Sequence, residues 1–189
     1  HLAKNGGYVD SSFLSMFGIS LLRGQASSAL NQPGQIAVSR KLALAYFGSI
    51  DVMGKSLLVD KEPYTIKAVF DDLPENMQFS FDLLLPFESY YKKYIAYDSW
   101  GNNITETWVQ LQPGVQLATF NEKLVKLSKE HNAEATNTFL LYPLKRMALH
   151  GDFQNGKETA KGMIVYVRMF SIIALIILLI ACVNFMNLS

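Results

Sequence analysis

Three histidines, His1, His131 and His150, are the first residues that could hold a metal or move a proton. None has a ligand-spaced neighbour such as H-x₃-H, or a cysteine pair, so solvated or structural roles are expected. Asp71, Asp72, Glu75 and Asp82 place carboxylates along one short stretch, as a calcium loop would. The D-x-D-x-D-G order with a closing bidentate glutamate is missing, and Leu73-Pro74 interrupts the run. Turn chemistry and solubility account for these acids better. Serines are plentiful, but no G-x-S-x-G elbow exposes one as a nucleophile, and the nearness of His150 to Asp152 in sequence does not make a triad. Gly6, Gly7 and Gly24 do not form G-x-G-x-x-G, and no Walker A segment is present. The chain is therefore not expected to hydrolyse ATP itself. No catalytic residue, metal ligand or cofactor-binding residue is assigned, and no cofactor is expected.

One constellation points to contact rather than catalysis. The stretch SYYKKYIAYDSW carries Tyr90, Tyr91, Tyr94, Tyr97 and Trp100. Aromatic side chains are enriched at interaction surfaces, but packing of a small irregular lobe is the favoured reading. Lys92 and Lys93 would also allow contact with a membrane surface.

Composition narrows the partners. Seventeen Lys+Arg face sixteen Asp+Glu, a net charge of +1. That balance argues against nucleic acid, which calls for a concentrated basic surface. The single cysteine, Cys182, rules out a disulfide framework. Cys182 lies in Met169–Ser189, MFSIIALIILLIACVNFMNLS, which contains no charge. As a helix this stretch would reach roughly 31 Å, close to the hydrocarbon thickness of a bilayer. A membrane-spanning segment is expected, beginning after Arg168. Asn184 and Asn187 lie three residues apart near its end, where polar groups bond to neighbouring helices or face the interface. HLAKNGGYVD lacks the apolar core of a signal peptide. If the domain lies outside the cytoplasm, an earlier spanning helix is expected upstream of His1, and the chain is then a fragment.

The elements that would position these residues follow from pattern. SSFLSMF reads as a short helix capped by Asp10 or Ser11 and stopped by Gly18. ISLLRG reads as a strand and QASSALNQPG as a polar loop. Gln35 to Val38 is a strand, and Ser39 caps a helix, RKLALAYF, closed by Gly48. KSLLVD and PYTIKAVF form a hairpin with Lys61-Glu62 at its tip, with Tyr64, Ile66, Ala68 and Phe70 on one face. DDLPENMQFS is a loop and FDLLLPF a buried strand. Residues 88–106 show no clear period. TWVQLQPGV and NTFLLYPL read as strands, Gln116 to His131 as a helix, and KRMALHGDFQNGKETAKG as a loose linker. The expected class is α+β: a mixed sheet with helices packed on one face, βαβ units and a small irregular lobe at about 86–107. Residues 1–162 would form the domain and 163–189 the spanning helix.

Taken together, YVDSSFLSMFGISLLRG, QIAVSRKLALAYFGSIDVMGKSLLVD, YTIKAVFDDLPENMQFSFDLLLPF, TWVQLQPGV and FLLYPLKRMALH resemble the extracytoplasmic core domain of MacB/FtsX-like ABC transporter permeases. IIALIILLIACVNFMNLS resembles that family's second transmembrane helix. The resemblance implies a porter-like α+β domain on the periplasmic side of the bacterial inner membrane, surrounded by membrane lipid at its anchor. It implies a cytoplasmic ABC ATPase as partner or fused domain and a second permease copy, homo- or heterodimeric. A periplasmic adaptor, a lipoprotein or a cell-wall hydrolase would be the outer partner. The implied mechanism is a relay: ATP-driven movement enters through the Arg168 junction and the Gly151–Gly162 stalk, and the domain tilts or closes against its partner. Two departures accompany the match. The family's first strand lies at or before His1, so an open sheet edge is expected, and the inserted lobe is short, so adaptor docking does not carry over. A ligand-binding ectodomain of a membrane-anchored sensor is the alternative from another class.

Overall fold

The computed structural model describes residues 5–77, 79–94, 105–131, 139–154, 157–159 and 161–188. They fall into two compact units, 1–99 and 100–189.

The first unit is built on a mixed sheet of β1 (Gly6–Val9), β2 (Leu21–Gly24), β3 (Gln35–Ser39), β4 (Ser56–Val59), β5 (Glu62–Phe70) and β6 (Leu83–Pro86). Their order is β1-β6-β3-β5-β2, with β4 also paired to β5. β1 runs parallel to β6, and β3 parallel to β5. β6 opposes β3, while β2 and β4 share the remaining edge of β5, antiparallel to it. β1 occupies the edge beside β6, in a stretch to which the sequence reading gave no element.

The alternation within β3 and β6 sends side chains to both faces. Ile36, Val38, Leu83 and Leu85 enter one apolar layer, completed by Leu42, Ala43 and Val52. Ala37 and Leu84 enter the other, with Val9, Phe13, Leu14, Ala29 and Leu30. The mixed α+β class is as the sequence predicts, but helices cover both faces. α3 (Arg40–Phe47) lies on the first face, and the one-turn helices α1 (Phe13–Met16) and α2 (Ala26–Ala29) lie on the second. A single turn is too short to show a helical period, so α2 reads as loop in the sequence.

β5 departs from the expected alternation for a specific reason. Its pairing with β3 slips by one residue, Ile36 facing Ile66 but Ala37 facing Ala68. This bulge at Lys67 reverses the faces beyond it. Tyr64 and Ile66 join the first layer, whereas Ala68 and Phe70 join the second. The hairpin tip also differs. It is Asp60-Lys61, both with positive φ (52° and 71°), as a two-residue turn matched to strand twist requires.

Caps follow the sequence more closely. The Ser39 hydroxyl accepts from the Leu42 amide at 3.0 Å, and Gly48 closes α3 with φ 68°. At α1 the expected Asp10 or Ser11 cap is not found: Ser12 holds the cap position without a side-chain cap bond, and Asp10 instead accepts from the Ser12 amide and hydroxyl, both at 2.9 Å. Those bonds hold its carboxyl below the ordinary value, the backbone bond contributing most. The acids Asp71 and Asp72 secure the start of α3. Asp72 accepts from the Lys41 amide at 2.9 Å, and Asp71 pairs with Arg40 at 3.2 Å. Residues Phe87–Tyr94 form helix α4, correcting the irregular reading of this segment, and the Tyr90 ring lies 5.1 Å from that of Tyr8.

The second unit contains α5 (Leu117–His131), α6 (Leu144–His150), a two-strand ribbon of β7 (Phe153–Gln154) and β8 (Lys157–Glu158), and α7 (Ile164–Leu188). α5 is as the sequence predicts. The described parts of TWVQLQPGV and NTFLLYPL are not strands. The Asn121 carboxamide on α5 pairs with Leu141 in both directions, at 3.1 and 2.7 Å, holding that backbone as a strand partner otherwise would. α6 and the ribbon replace the expected loose linker. α7 starts ahead of Arg168 and is long and apolar enough to cross a membrane, with no part of its apolar window buried.

Candidate functional site at the helix junction

The richest polar arrangement among the described residues lies between α6 and α7. Pro143, with φ −61°, is the residue before the first turn of α6. Arg146 and His150, four residues apart, project from one side of that helix, as the 3.6-residue repeat dictates. The ribbon then returns Glu158 to them. One nitrogen of Arg146 donates to both Glu158 carboxylate oxygens, at 2.8 and 3.1 Å. His150 Nδ1 lies 3.3 Å from Glu158 Oε1. The Tyr142 hydroxyl reaches Glu158 Oε2 at 3.0 Å and the His150 carbonyl at 3.3 Å. Desolvation, followed by donation to Glu158, raises the Tyr142 phenol above its usual value. Phe153 closes edge-on against the Tyr142 ring, centroids 4.9 Å apart.

A second tie fixes the ribbon's base. Thr159 donates its hydroxyl to the Asp152 carboxylate at 2.6 Å and its amide to the Asp152 carbonyl at 2.8 Å. Gly162 then lies against the Leu149 carbonyl so closely that a side chain there would collide with it. Two residues later α7 begins. The path from α6 to the apolar helix is therefore braced at both ends by named contacts. Each exposed ion pair is worth only about 0.2–1 kcal/mol, but three groups converging on one carboxylate restrain each other's geometry. The arrangement holds a shape.

The residues singled out by sequence are dispersed. His150 enters this clasp, His1 lies outside the described residues, and His131 ends α5. Of the acidic group, Asp71 and Asp72 serve the start of α3, and no group of three metal-ligating side chains occurs among the described residues. Tyr90 and Tyr91 lie on α4, while Tyr97 and Trp100 fall outside the described residues. Cys182, Asn184 and Asn187 are exposed on α7. Glu158 was missed. The signal that could have found it is the Arg146/His150 spacing with an acid following shortly after Gly156 in the sequence.

Comparison with known proteins converges on one family. Residues 4–127 match the family described as the MacB-like periplasmic core domain. A domain of a protein assigned as a permease from Porphyromonas gingivalis shares 32% identity, with a TM-score of 0.52, covering 67% of this chain and 54% of its own. The periplasmic region of MacB from Actinobacillus actinomycetemcomitans shares 17% identity, a TM-score of 0.50, and coverage of 69% and 57%. At that identity the likeness is one of fold. The chain thus spans just over half the length of either structure. No curated protein sequence matches it. The family match covers the whole sheet unit and most of α5, and stops short of the Glu158 clasp and α7. The chain belongs to the family of MacB-like periplasmic core domains.

Proposed function

We propose that this chain is the extracytoplasmic domain and one spanning helix of an ABC transporter permease, and that it relays ATP-driven motion across the bacterial inner membrane. On this reading residues 1–162 form the domain outside the cytoplasm and 163–189 the helix in the bilayer. ATP is hydrolysed in a separate cytoplasmic ATPase domain or subunit, and a second permease copy completes the assembly. Export, lipoprotein handling or a cell-envelope process is the output, and no residue here performs covalent chemistry. The observation that carries the reading is the unburied apolar helix joined to a family-matched domain through a braced junction. Apolar surface of that extent calls for a covering medium. A helix displaced in the bilayer would pull on Gly162 and the Glu158 clasp, not on a slack tether.

Topology tests it first. Leu58 is 71% exposed on β4. Leu58→Cys in the full permease, with Cys182→Ser, should react with a membrane-impermeant thiol reagent added to intact spheroplasts. Native Cys182 in the parent protein should stay protected within the bilayer. Labelling of Leu58→Cys only after lysis would overturn the reading.

A further inference from the structure

Two neighbouring strands of the first unit, β1 and β6, run parallel and end side by side, Val9 opposite Pro86. The chain leaves them in opposite directions. After β1 it passes to α1, whose Phe13 and Leu14 belong to the second apolar layer. After β6 it passes to α4, where Tyr90 packs on Tyr8, a residue seated against the first layer. Connections that part to opposite faces at the carboxyl ends of adjacent parallel strands open a crevice, and such crevices are where open α/β sheets bind ligands. Here the crevice is present as a depression of about 550 Å³, lined by Asp10, Ser11, Asn31, Glu88 and Tyr91 over an apolar base that includes Leu30. Through Ser11 and Asn31 it adjoins a second depression of about 660 Å³, walled by Ser12, Ser15, Gln25 and Ser27. Both are open depressions on the surface, not enclosed cavities.

The lining selects the ligand's chemistry. It contains no Arg, Lys or His, so it is not built for phosphate or another anion. Its two carboxylates are already engaged. Asp10 accepts two bonds from Ser12, and Glu88 pairs with Lys92 at 2.6 Å. Some hydroxyl and amide groups are engaged as well, Ser12 donating to Asp10, Ser15 to the Ser12 carbonyl and Asn31 to the Ser27 carbonyl. What the lining offers is therefore mainly acceptor oxygens of these hydroxyls, the Asn31 amide and the carboxylates, with a 41%-exposed tyrosine ring at one end. That combination suits a ligand with many hydroxyls and weakly apolar ring faces. We infer that this crevice is a binding site for a neutral oligosaccharide, its hydroxyls bonded to Asp10, Ser11 and Asn31 and one ring laid on Tyr91. The inference does not rest on the relay and would stand if the relay failed.

The test uses the full chain in a detergent without a sugar headgroup, titrated with triacetylchitotriose, maltotriose and tetralysine by calorimetry. At least one trisaccharide should bind saturably, on the order of millimolar, with little dependence on salt. Tyr91→Ala should weaken it about tenfold or more, while Tyr91→Phe should stay within about threefold, because the ring face is retained. The exposed position of Tyr91 keeps both variants folded, which thermal melting would verify. Absence of saturable trisaccharide binding would overturn the inference. So would equal binding by Tyr91→Ala, or salt-sensitive binding of tetralysine alone, which would indicate a basic peptide instead.

Discussion

The two units of this chain are held together in different ways. In the sheet unit nineteen apolar side chains are buried, from Val9 to Leu85, with Ser39 the one buried polar residue among those described. In the second unit no described side chain is buried to that degree, and order comes from polar contacts with defined geometry: Asn121 on Leu141, three groups around Glu158, and Thr159 on Asp152. The first pattern makes a body that tolerates load, because burying each large side chain contributes about 1.5–3 kcal/mol regardless of direction. The second makes a joint whose stability depends on particular atoms and on whatever surrounds α7. The proposed relay would use both.

The largest effects should separate the units most sharply. Ile66 is fully buried between β5 and α3, so Ile66→Ala should destabilise the sheet unit by about 2–5 kcal/mol in denaturant unfolding. Ile176→Ala on α7 removes similar volume from an exposed helix. It should leave that transition within about 0.5 kcal/mol. Equal losses would erase the distinction. Gly24 comes next. It ends β2 with φ 86°, and a side chain there would press on the Lys67 carbonyl and the Ala68 backbone. Gly24→Ala should therefore lower stability by about 1–3 kcal/mol. Ser39→Ala leaves the Leu42 amide without its buried acceptor and should cost about 1–2 kcal/mol.

Smaller effects sharpen the joint. Glu158→Ala should leave the unfolding of the sheet unit unchanged. It should instead speed amide hydrogen exchange around Asp152–Thr159, a local loss of about 1 kcal/mol. Protection unchanged there would mean the clasp restrains nothing. Smallest is a pH effect at Asp10. Its carboxyl is depressed below 3.8, so its contribution is present above that pH and is lost as pH falls through the lower folded value. Asp10→Asn should flatten that part of the acid-unfolding curve.

Legibility followed the range of the signal in both units. Ser39, Gly48 and the period of residues 117–131 were readable because caps and helical spacing are local signals. The buried run LLLP gave β6 for the same reason. The bulge at Lys67 was not readable, since it arises from pairing with β3, a partner about thirty residues away. β1 was hidden because Gly6-Gly7 carries no strand propensity and gains its place only from β6. The 139–143 segment looks like a strand by composition, yet an asparagine side chain takes the place of the neighbouring strand. At the junction, the clasp depends on a ribbon of two residues per strand, below any periodic signal.

The proposed relay holds that movement of the apolar helix is passed on through the Glu158 clasp. The direct measurement is the distance between spin labels at Leu58→Cys, with Cys182→Ser, on two permease copies assembled with their ATPase in nanodiscs. The account predicts that a non-hydrolysable ATP analogue shifts this distance distribution, and that Glu158→Ala shrinks the shift. A distribution that stays unchanged while the assembly hydrolyses ATP would contradict it.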